Sequence, residues 1–377
     1  MLKKKVLIHA IAGGYGGAER TIECLVPNLA ARMDLSFAVQ NEVHKKNLGV
    51  IARNLQFPIY DLQKGRSIVD VLRSAISTLR LCREKKFDCV VTNTNKSAFV
   101  FALIHFFLDP KIKIFVFVRD YQWVYARTIF WSLRGRAMIL APSKAIVDLW
   151  PQEYGDVPDV LLVPSSFPSR RHKEIIIIPD CNDDVAKRDL VLDSMNSILV
   201  LGTVNSWKGI DIAIDAIAEL ALDFEDIVLD VVGDFVTEEY RQFLFEKIDS
   251  RGIYGKVRFH SRVSDVSDFI AKSLCVVSAS VPWNGGPETF GRTIIEAWSM
   301  LKPVVASNCG GPRYLIKHSI DGLLFEPGDS HGLAQAIRTL IEDPELRWTL
   351  AINGRIKFLT SYTTEKVSEK LVDLIFK

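Results

Sequence analysis

The chain has 377 residues, of which 48% are hydrophobic and 24% charged, values that exclude a disordered, collagen-like or low-complexity protein. This length predicts two or three domains. The formal net charge is only +2, which by itself predicts no polyanionic partner, but residues 1–196 carry 28 Lys and Arg against 20 Asp and Glu, whereas residues 197–377 carry 19 against 25. A basic half is therefore joined to an acidic half, and this asymmetry needs a functional explanation.

Short apolar or β-branched runs alternate with segments of helical periodicity through the first half of the chain. The runs predict strands over Lys5–Ile11, Leu35–Gln40, Cys89–Asn93, Ile114–Arg119, Met138–Pro142 and Val160–Pro164, and the segments between them predict helices over Ala18–Arg32, Ile68–Lys85 and Lys144–Trp150. Because the strands are apolar on both faces, they are typical of a parallel sheet that helices cover on either side. The order of elements predicts a doubly wound α/β domain.

The apolar stretches predict neither a leader peptide nor a membrane span. The basic start and the first apolar run imitate a signal peptide, but His9 interrupts the run and glycines follow at once, which favours a strand and a turn. The most apolar stretch, Ser97–Val118, is broken by charged residues and Pro110 and is too short on either side to cross a bilayer. Together with six scattered cysteines that lack zinc-ligand spacing, these features predict a cytoplasmic protein with reduced thiols.

The same alternation restarts after a polar, Pro-containing segment near residues 165–196. Strands are predicted over Ile198–Leu201, Ile227–Val232, Val257–His260, Leu274–Ala279 and Pro303–Ala306, and helices over Gly209–Leu222, Glu238–Ser250, Ser264–Lys272, Gly291–Leu301 and Gly332–Glu342. We therefore expect an N-terminal domain at 1–175, a linker at 176–196, a second domain at 197–352 and a C-terminal helix at 353–377 that packs back towards the first domain. Two such halves predict a ligand cleft between them, at the carboxyl ends of the strands.

Residues 280–311 contain the sharpest motif. A strand ends at Ser280, a Gly- and Pro-rich loop runs to Phe290, and a helix opens at Gly291, where unpaired backbone N–H groups favour an anion. Glu288 lies just ahead of that helix and Glu296 about one and a half turns inside it. Carboxylates accept strong hydrogen bonds from hydroxyl groups, so Glu288 could bind a sugar and Glu296 a ribose. For an isolated pair, a helix-start charge and a surface Glu would be the simpler interpretation.

The complete pattern resembles the retaining GT-B-fold glycosyltransferases of the group 1 type (family 4). The resemblance is carried by Glu-x7-Glu at Glu288 and Glu296 with Phe290-Gly291 between them, by Pro303–Ser307, by Gly310-Gly311 and by Asp321–Asp329. It implies an α/β protein with the GT-B fold, in which two Rossmann-like doubly wound domains face each other across a cleft. It also implies that the first Glu contacts the donor sugar, the second binds the nucleotide ribose, and the backbone between them faces the diphosphate.

Two further glycine-containing turns complete the implied donor site. Lys208 follows a strand and precedes a helix, where a cation could stabilise a departing diphosphate, but Thr203 occupies the position at which the family usually has Arg. Near the N-terminus Glu19 breaks a dinucleotide-binding fingerprint, yet the family has a similar Gly-Gly turn facing the diphosphate. The predicted donor-binding residues are Gly16, Gly17, Thr203, Lys208, Glu288, Thr289, Phe290, Gly291 and Glu296, with Glu288 and Lys208 catalytic; no metal ligands and no cofactor besides the donor are predicted.

The acceptor side is predicted in the N-terminal half, near Asn95, Arg119 and Asp120. The family commonly carries His where this chain has Arg119, and an Arg cannot act as a base near neutral pH. Arg119 could bind an anion of the donor or acceptor, or form a purely structural pair with Asp120.

The predicted activity is the retaining, metal-independent transfer of a hexose-like sugar from a nucleotide-diphosphate sugar to a hydroxyl of a glycan or lipid-linked saccharide, as in cell-surface polysaccharide or lipopolysaccharide synthesis. No Asp-x-Asp motif and no nucleic-acid-binding module occur in the sequence. Three alternatives remain open: a sugar-nucleotide epimerase of GT-B fold, a Rossmann-type NAD(P) enzyme, which the broken dinucleotide fingerprint disfavours, and a non-catalytic nucleotide-sugar-binding protein. One cluster of aromatic and basic residues has two interpretations. It is either part of the core or a peripheral contact with the inner face of an anionic cell membrane. The cluster consists of Trp123, Tyr125, Arg127, Phe130, Trp131, Arg134 and Arg136.

Overall fold

The structure is a computed structural model that describes residues 3–12, 14–62, 68–119, 121, 125–150, 160–166, 196–283 and 285–376. The chain divides into two compact units, Met1–Pro168 together with Thr364–Lys377, and Ser169–Thr363. Each unit is a parallel β-sheet with helices packed on it, which confirms the predicted α/β class. The predicted linker at 176–196 lies, up to residue 195, outside the described residues.

The first unit is built on seven parallel strands. They are β1 (Lys5–Ala10), β2 (Asp34–Val39), β3 (Ile59–Asp61), β4 (Cys89–Thr92), β5 (Lys113–Phe117), β6 (Ala137–Ala141) and β7 (Val160–Leu162). The sheet order is β3-β2-β1-β4-β5-β6-β7, and the helices are α1 (Gly17–Arg32), α2 (Glu42–Leu55), α3 (Ile68–Lys85), α4 (Asn95–Ile104), α5 (Ala126–Ser132) and α6 (Ala145–Asp148).

Both faces of this sheet are buried. In β1, Leu7 packs in one apolar cluster with Phe101 of α4, whereas its neighbour Ile8 packs in the opposite cluster with Ile22 and Leu25 of α1. All five side chains are at most 1% exposed. Alternate residues of a strand point to opposite faces, so a strand that is apolar at every position needs helices on both sides.

The second unit is built on six parallel strands. They are β8 (Ser197–Leu201), β9 (Val228–Val232), β10 (Val257–His260), β11 (Ser273–Ser278), β12 (Val304–Ser307) and β13 (Leu323–Phe325), in the order β10-β9-β8-β11-β12-β13. Its helices are α7 (Ile210–Leu220), α8 (Glu238–Arg251), α9 (Ser267–Lys272), α10 (Arg292–Ser299), α11 (Gly310–Leu315), α12 (Ser330–Glu342) and α13 (Pro344–Ser361). Short 3₁₀ segments cover His105–Phe107 and Ser206–Lys208.

The C-terminal end of the chain contains two helices. The boundary expected at residue 353 falls inside α13, which belongs to the second unit. The last helix, α14 (Thr364–Phe376), belongs to the first unit and packs against α1. Its Val367, Leu371 and Ile375 are buried in the same cluster as the apolar face of α1, so the first sheet receives its final covering helix from the end of the chain.

Side-chain caps set several helix starts. The α2 and α4 helices begin after Asn41 and Thr94, whose oxygens accept from the backbone N–H groups of His44 and Ser97. Asp329 caps α12 in the same way, which is why that helix begins two residues before the predicted Gly332. Each such cap contributes about 1 kcal/mol to helix stability.

The strand order reverses once in each sheet, between β1 and β4 and between β8 and β11. In open parallel sheets, loops at the carboxyl ends of the strands diverge at such a point and leave a crevice for a ligand. The residues that follow these four strands are therefore the places to look for a site. None of the helices in the described part of the chain combines the length and apolar character needed to cross a bilayer.

Candidate functional site

In the second unit, the loops that follow β8 and β11 pack closely against each other. Gly209 has a φ of +66°, and a Cβ there would lie 2.0 Å from the carbonyl oxygen of Ala279. The Val281 N–H donates to the Trp207 carbonyl at 2.9 Å, which joins the two loops directly. A glycine is required at 209 for both reasons, its backbone conformation and the close approach.

These loops bring Lys208 and Glu288, which are 80 positions apart in sequence, into an ion pair. The Lys208 ammonium donates to Glu288 Oε2, and the side chains are 16% and 21% exposed. The ammonium also lies 4.3 Å from the centre of the Trp207 ring. The two residues predicted to be catalytic thus form one partly exposed pair at the carboxyl edge of the second sheet.

The backbone of the loop around Glu288 is held by the two glycines that open α11. The Gly311 N–H donates to the Glu288 carbonyl at 2.6 Å. A Cβ on Gly310 would lie 2.3 Å from that carbonyl oxygen, and a Cβ on Gly311 would lie 2.3 Å from Phe290 Cα. The glycines therefore fix the position of Glu288 through its main chain, and these contacts do not involve its carboxylate.

The start of α10 is shaped by Phe290 and Gly291. The Phe290 side chain is 5% exposed, and its ring lies 5.8 Å from that of Tyr362, so only its backbone can face a ligand. Gly291 caps the helix with a φ of +100°, and a Cβ there would lie 2.8 Å from Ile294 Cδ1. Only Thr289, Phe290 and the cap residue Gly291 therefore separate Glu288 from the first N–H groups of α10.

Glu296 lies inside α10 and is 6% exposed. Arg292, one turn earlier on the same helix, donates from Nε to Glu296 Oε1 at 2.9 Å. Arg292 is not among the predicted site residues, although its i,i+4 spacing from Glu296 is visible in the sequence. The arginine orients the carboxylate that is predicted to bind ribose.

Thr203 and Thr289 are also placed near these loops. Thr203 follows β8 and is exposed, so it offers a hydroxyl where the family resemblance led us to expect a cation. Thr289 is half-buried beside Glu288. In the same loop as Thr203, the buried Asn205 Oδ1 accepts no hydrogen bond from the described residues.

Side chains at the end of β12 tie that strand to the β11 loop. Ser307 Oγ and Cys309 Sγ both donate to the Ser280 carbonyl, at 2.5 and 3.2 Å. Burial raises the pKa of the Cys309 thiol, so the group stays protonated and acts as a hydrogen-bond donor. These bonds brace the loop that leads to Glu288.

In the first unit, a cavity of about 230 Å³ opens at the reversal point between β1 and β4. Asn95 and Arg119, both predicted on the acceptor side, line it together with Glu19 and Asn93. Asp120, the third residue predicted there, lies outside the described residues, so an Arg119–Asp120 pair is not tested.

The predicted Gly16-Gly17 turn begins α1 next to this cavity. Glu19, which breaks the dinucleotide fingerprint, accepts from the Gly16 N–H through Oε2 at 2.9 Å and is 5% exposed. Its carboxylate therefore caps the helix start. That the turn contacts a donor diphosphate stays a prediction.

A partly buried polar network lies behind the turn and was not found from the sequence. Tyr15 donates to Glu23 Oε2 at 2.7 Å, and His44 Nδ1 lies 2.7 Å from Glu23 Oε1. Asn47 donates to the Tyr15 oxygen at 2.9 Å. Burial and the neighbouring Glu23 raise the pKa of Tyr15 to about 12, so the phenol remains protonated.

The aromatic and basic cluster divides into a core part and an exposed part. The Phe130 ring is half-buried and lies 4.8 Å from the ring of Trp150, whereas Trp131 is 76% exposed. Phe130 is thus a core residue and Trp131 a surface residue. Trp123 lies outside the part of the chain that the structure describes.

The comparisons with known proteins agree with this architecture. The family model described as glycosyl transferases group 1 matches residues 184–357. LpsE of Rhizobium meliloti, a lipopolysaccharide core biosynthesis glycosyltransferase, is 28% identical over 193 residues, 51% of this chain and 53% of LpsE. The human alpha-1,3/1,6-mannosyltransferase ALG2 is 28% identical over 257 residues, 60% of this chain and 61% of ALG2. The chain therefore spans about half to three fifths of the length of these relatives.

A solved structure shows a similar fold over nearly the whole chain. Anabaena HepE, crystallised in complex with UDP, matches with a TM-score of 0.80 and 21% identity, covering 99% of each chain. At this identity the likeness establishes the fold. Its GT-B architecture corresponds to the two Rossmann-like units described above. These findings show that the chain has the GT-B fold and that its residues 184–357 match the glycosyl transferases group 1 family.

Proposed function

We propose that this protein is a glycosyltransferase that moves a hexose-like sugar from a nucleotide-diphosphate sugar to a hydroxyl of a glycan or lipid-linked saccharide, with retention of configuration and without a metal ion. The observation that carries the proposal is the Lys208–Glu288 pair beside the start of α10. It combines a cation, a carboxylate and free helix N–H groups, which are the groups that a sugar diphosphate requires.

In the proposed reaction, negative charge builds on the departing diphosphate as the bond to the anomeric carbon breaks. The Lys208 ammonium and the first N–H groups of α10 stabilise that charge. Glu288 exchanges its ion pair with Lys208 for hydrogen bonds from the sugar hydroxyls. Because the pair exists before the donor arrives, neither charge has to be desolvated alone.

Glu296 is proposed to bind the ribose hydroxyls with the oxygen that does not accept from Arg292 Nε. The arginine and the burial of the carboxylate restrict its orientation, which favours a defined ribose position. Metal independence is proposed because Lys208 supplies the positive charge that a divalent ion supplies in Asp-x-Asp enzymes, and the sequence contains no Asp-x-Asp.

The proposal is tested first by donor binding. Among UDP-, GDP- and dTDP-sugars, at least one is expected to stabilise the protein by about 2.7 kcal/mol at one hundred times its dissociation constant. Thermal melting measures this shift, and Lys208→Ala should reduce it. If none of these donors raises the melting temperature, a donor site of this kind is contradicted.

Turnover then separates the proposed reaction from its alternatives. NMR of the products, with EDTA present, should show a new glycosidic bond with the donor's anomeric configuration only when an acceptor saccharide is added. Conversion of the donor sugar without acceptor would indicate an epimerase. A melting shift with no turnover over a panel of lipid-linked and free saccharides would favour a binding protein.

We also propose that the first unit contacts an anionic membrane at its inner face. Three exposed aromatic residues, Phe106, Phe107 and Trp131, form what we call the aromatic face and are 75%, 61% and 76% exposed. The segments that carry them are joined because Ser132 Oγ lies 3.0 Å from His105 Nε2. Exposed rings of this kind are typical of the headgroup region of a bilayer.

Basic residues surround the aromatic face and favour an anionic surface. Arg127 and Arg134 are exposed, and Arg136 binds the carbonyls of Asp109 and Pro110 just after Phe107. Each cation near an anionic bilayer contributes about 1 kcal/mol at physiological ionic strength. This contact would account for the basic charge of the N-terminal half.

Membrane binding is expected to fall when this surface is changed. Arg127→Gln combined with Arg134→Gln should weaken binding to phosphatidylglycerol-containing vesicles by roughly 30-fold, since two cations contribute about 2 kcal/mol. Trp131→Ser should weaken it further, whereas Tyr254→Ser, which changes a 68% exposed ring of the second unit, should not. Vesicle sedimentation at low and high salt measures the effect. Equal binding of all variants, or no binding by the unchanged protein, would contradict the membrane contact.

A further inference from the structure

The cavity of the first unit, which we call the Arg119 cavity, is lined by Glu19, Asn93, Thr94, Asn95, Lys96 and Arg119 together with apolar residues. Its volume is about 230 Å³, well above what a single water molecule requires. That is space for one small substrate group. What the group must be follows from the charges and the hydrogen-bond donors in the lining.

The orientation of the Asn93 side chain is fixed by Arg119. The guanidinium donates from Nε to Asn93 Oδ1 at 3.0 Å and stacks over the Phe117 ring at 4.2 Å. Because Oδ1 accepts from a cation, the amide group of Asn93 must present its NH₂ elsewhere. That NH₂ is buried, since Asn93 is 1% exposed, and it has no hydrogen-bond partner among the described residues.

A buried NH₂ without an acceptor is destabilising, so its presence at a cavity points to an acceptor on the ligand. Among the described lining residues, Arg119 and Lys96 are cations and Glu19 is a carboxylate. Glu19 already accepts from the Gly16 N–H at the start of α1, where a helix favours a negative charge. The described lining residues therefore carry more positive than negative formal charge.

The framework of the cavity is rigid before any ligand binds. The Ile11 N–H donates to Ser97 Oγ at 2.9 Å, and Thr94 Oγ1 donates to the Ile11 carbonyl at 2.8 Å. These bonds lock the turn after β1 to the start of α4. His9, beneath the turn, adds no charge because burial lowers its pKa to about 3.

We propose that the Arg119 cavity binds an anionic group of the saccharide acceptor, a carboxylate or a phosphate, so that the acceptor is an acidic sugar. The Arg119 guanidinium pairs with the anion and the Asn93 NH₂ donates to one of its oxygens. A neutral sugar offers no negative charge with which the guanidinium could pair. This inference rests on the proposed transfer function, because it describes the acceptor of that reaction.

Direct binding tests the inference without any need for turnover. Methyl glucuronate glycoside, glucose 6-phosphate and methyl glucoside are titrated into the protein and followed by calorimetry. We expect at least one of the two anions to bind ten-fold or more tightly than methyl glucoside, and the tighter one distinguishes a carboxylate from a phosphate source.

Four variants assign that preference to the cavity. Arg119→Gln and Asn93→Asp should each abolish the preference for the anion. Arg119→Lys, which keeps the positive charge but not the two-pronged guanidinium geometry, should retain part of the preference. Arg53→Gln removes an exposed cation of α2 away from the cavity and should leave the preference unchanged, as should Lys208→Ala in the second unit. A melting temperature close to that of the unchanged protein shows that a variant is folded. If Asn93→Asp does not fold, the result for Arg119→Gln decides whether the inference holds.

Equal binding of all three probes, or a preference that persists in Arg119→Gln, would overturn the inference. Failure of the inference can be told apart from failure of the proposed function. An active transferase without the anion preference contradicts only the acidic acceptor, whereas an intact preference in a protein that transfers no sugar contradicts only the transfer reaction.

Discussion

Replacement of Glu288 by Gln is expected to reduce kcat by at least on the order of 100-fold, because the carboxylate that would hold the donor sugar becomes a neutral amide. The amide oxygen could still accept from the Lys208 ammonium, but the negative charge of the pair would be lost. Sugar release and transfer measured with the donor identified by melting would show the loss. Glu225→Gln, an exposed carboxylate in the same unit, should retain full activity.

The fold of the second unit should survive this change. Glu288 is held through its carbonyl, which accepts from the Gly311 N–H at 2.6 Å, and this bond does not involve the side chain. The ion pair with Lys208 is partly exposed, so its loss should cost no more than about 1 kcal/mol of unfolding free energy. An unchanged kcat in a folded variant would show that Glu288 has no catalytic role.

The sheets could be predicted from the sequence because their strands are apolar at successive positions. The β1 strand is an example, since Leu7 and Ile8 face opposite clusters and both are buried. The β3 strand was missed because it has only three residues at the edge of the sheet, and none is fully buried. The charged α2 helix was missed because only His44 and Leu48 are buried, which leaves almost no apolar periodicity to read.

The α4 helix was missed for the opposite reason. It is apolar on nearly every side, because six of its ten residues are buried, and such a run has no helical period that distinguishes it from a strand. Its Thr94 cap was the available signal. The α11 helix opens with Gly310-Gly311, residues that disfavour helix. Glycines occupy these positions because a side chain at either would collide with the Glu288 loop.

The candidate site shows the same limit. Glu288 and Lys208 could each be named from their local motifs, but their ion pair depends on how the loops after β8 and β11 pack. The unsatisfied Asn93 NH₂ was also invisible, because it follows from the Arg119 hydrogen bond that fixes the amide. Local sequence therefore predicted the residue types of the site, and tertiary packing determined their partners.

Replacement of Lys208 by Ala is expected to lower kcat/KM by roughly 30- to 900-fold, which corresponds to about 2–4 kcal/mol of transition-state stabilisation. In the proposed reaction the ammonium stabilises charge that develops mainly on the departing diphosphate, so kcat should fall more than donor affinity does. Steady-state kinetics with the identified donor measures both quantities. Lys272→Ala, an exposed lysine at the end of α9, is the matched control and should behave as the unchanged protein.

The Lys208→Ala, Glu288→Gln double variant distinguishes a coupled pair from two independent residues. Because the two side chains contact each other, we expect the double variant to be little worse than the poorer single variant, with a coupling energy within about 0.5–3 kcal/mol. Additive losses would mean that each residue acts on the donor separately. A donor with a good leaving group should restore activity to Lys208→Ala more than to Glu288→Gln, because only the lysine is proposed to stabilise the departing diphosphate.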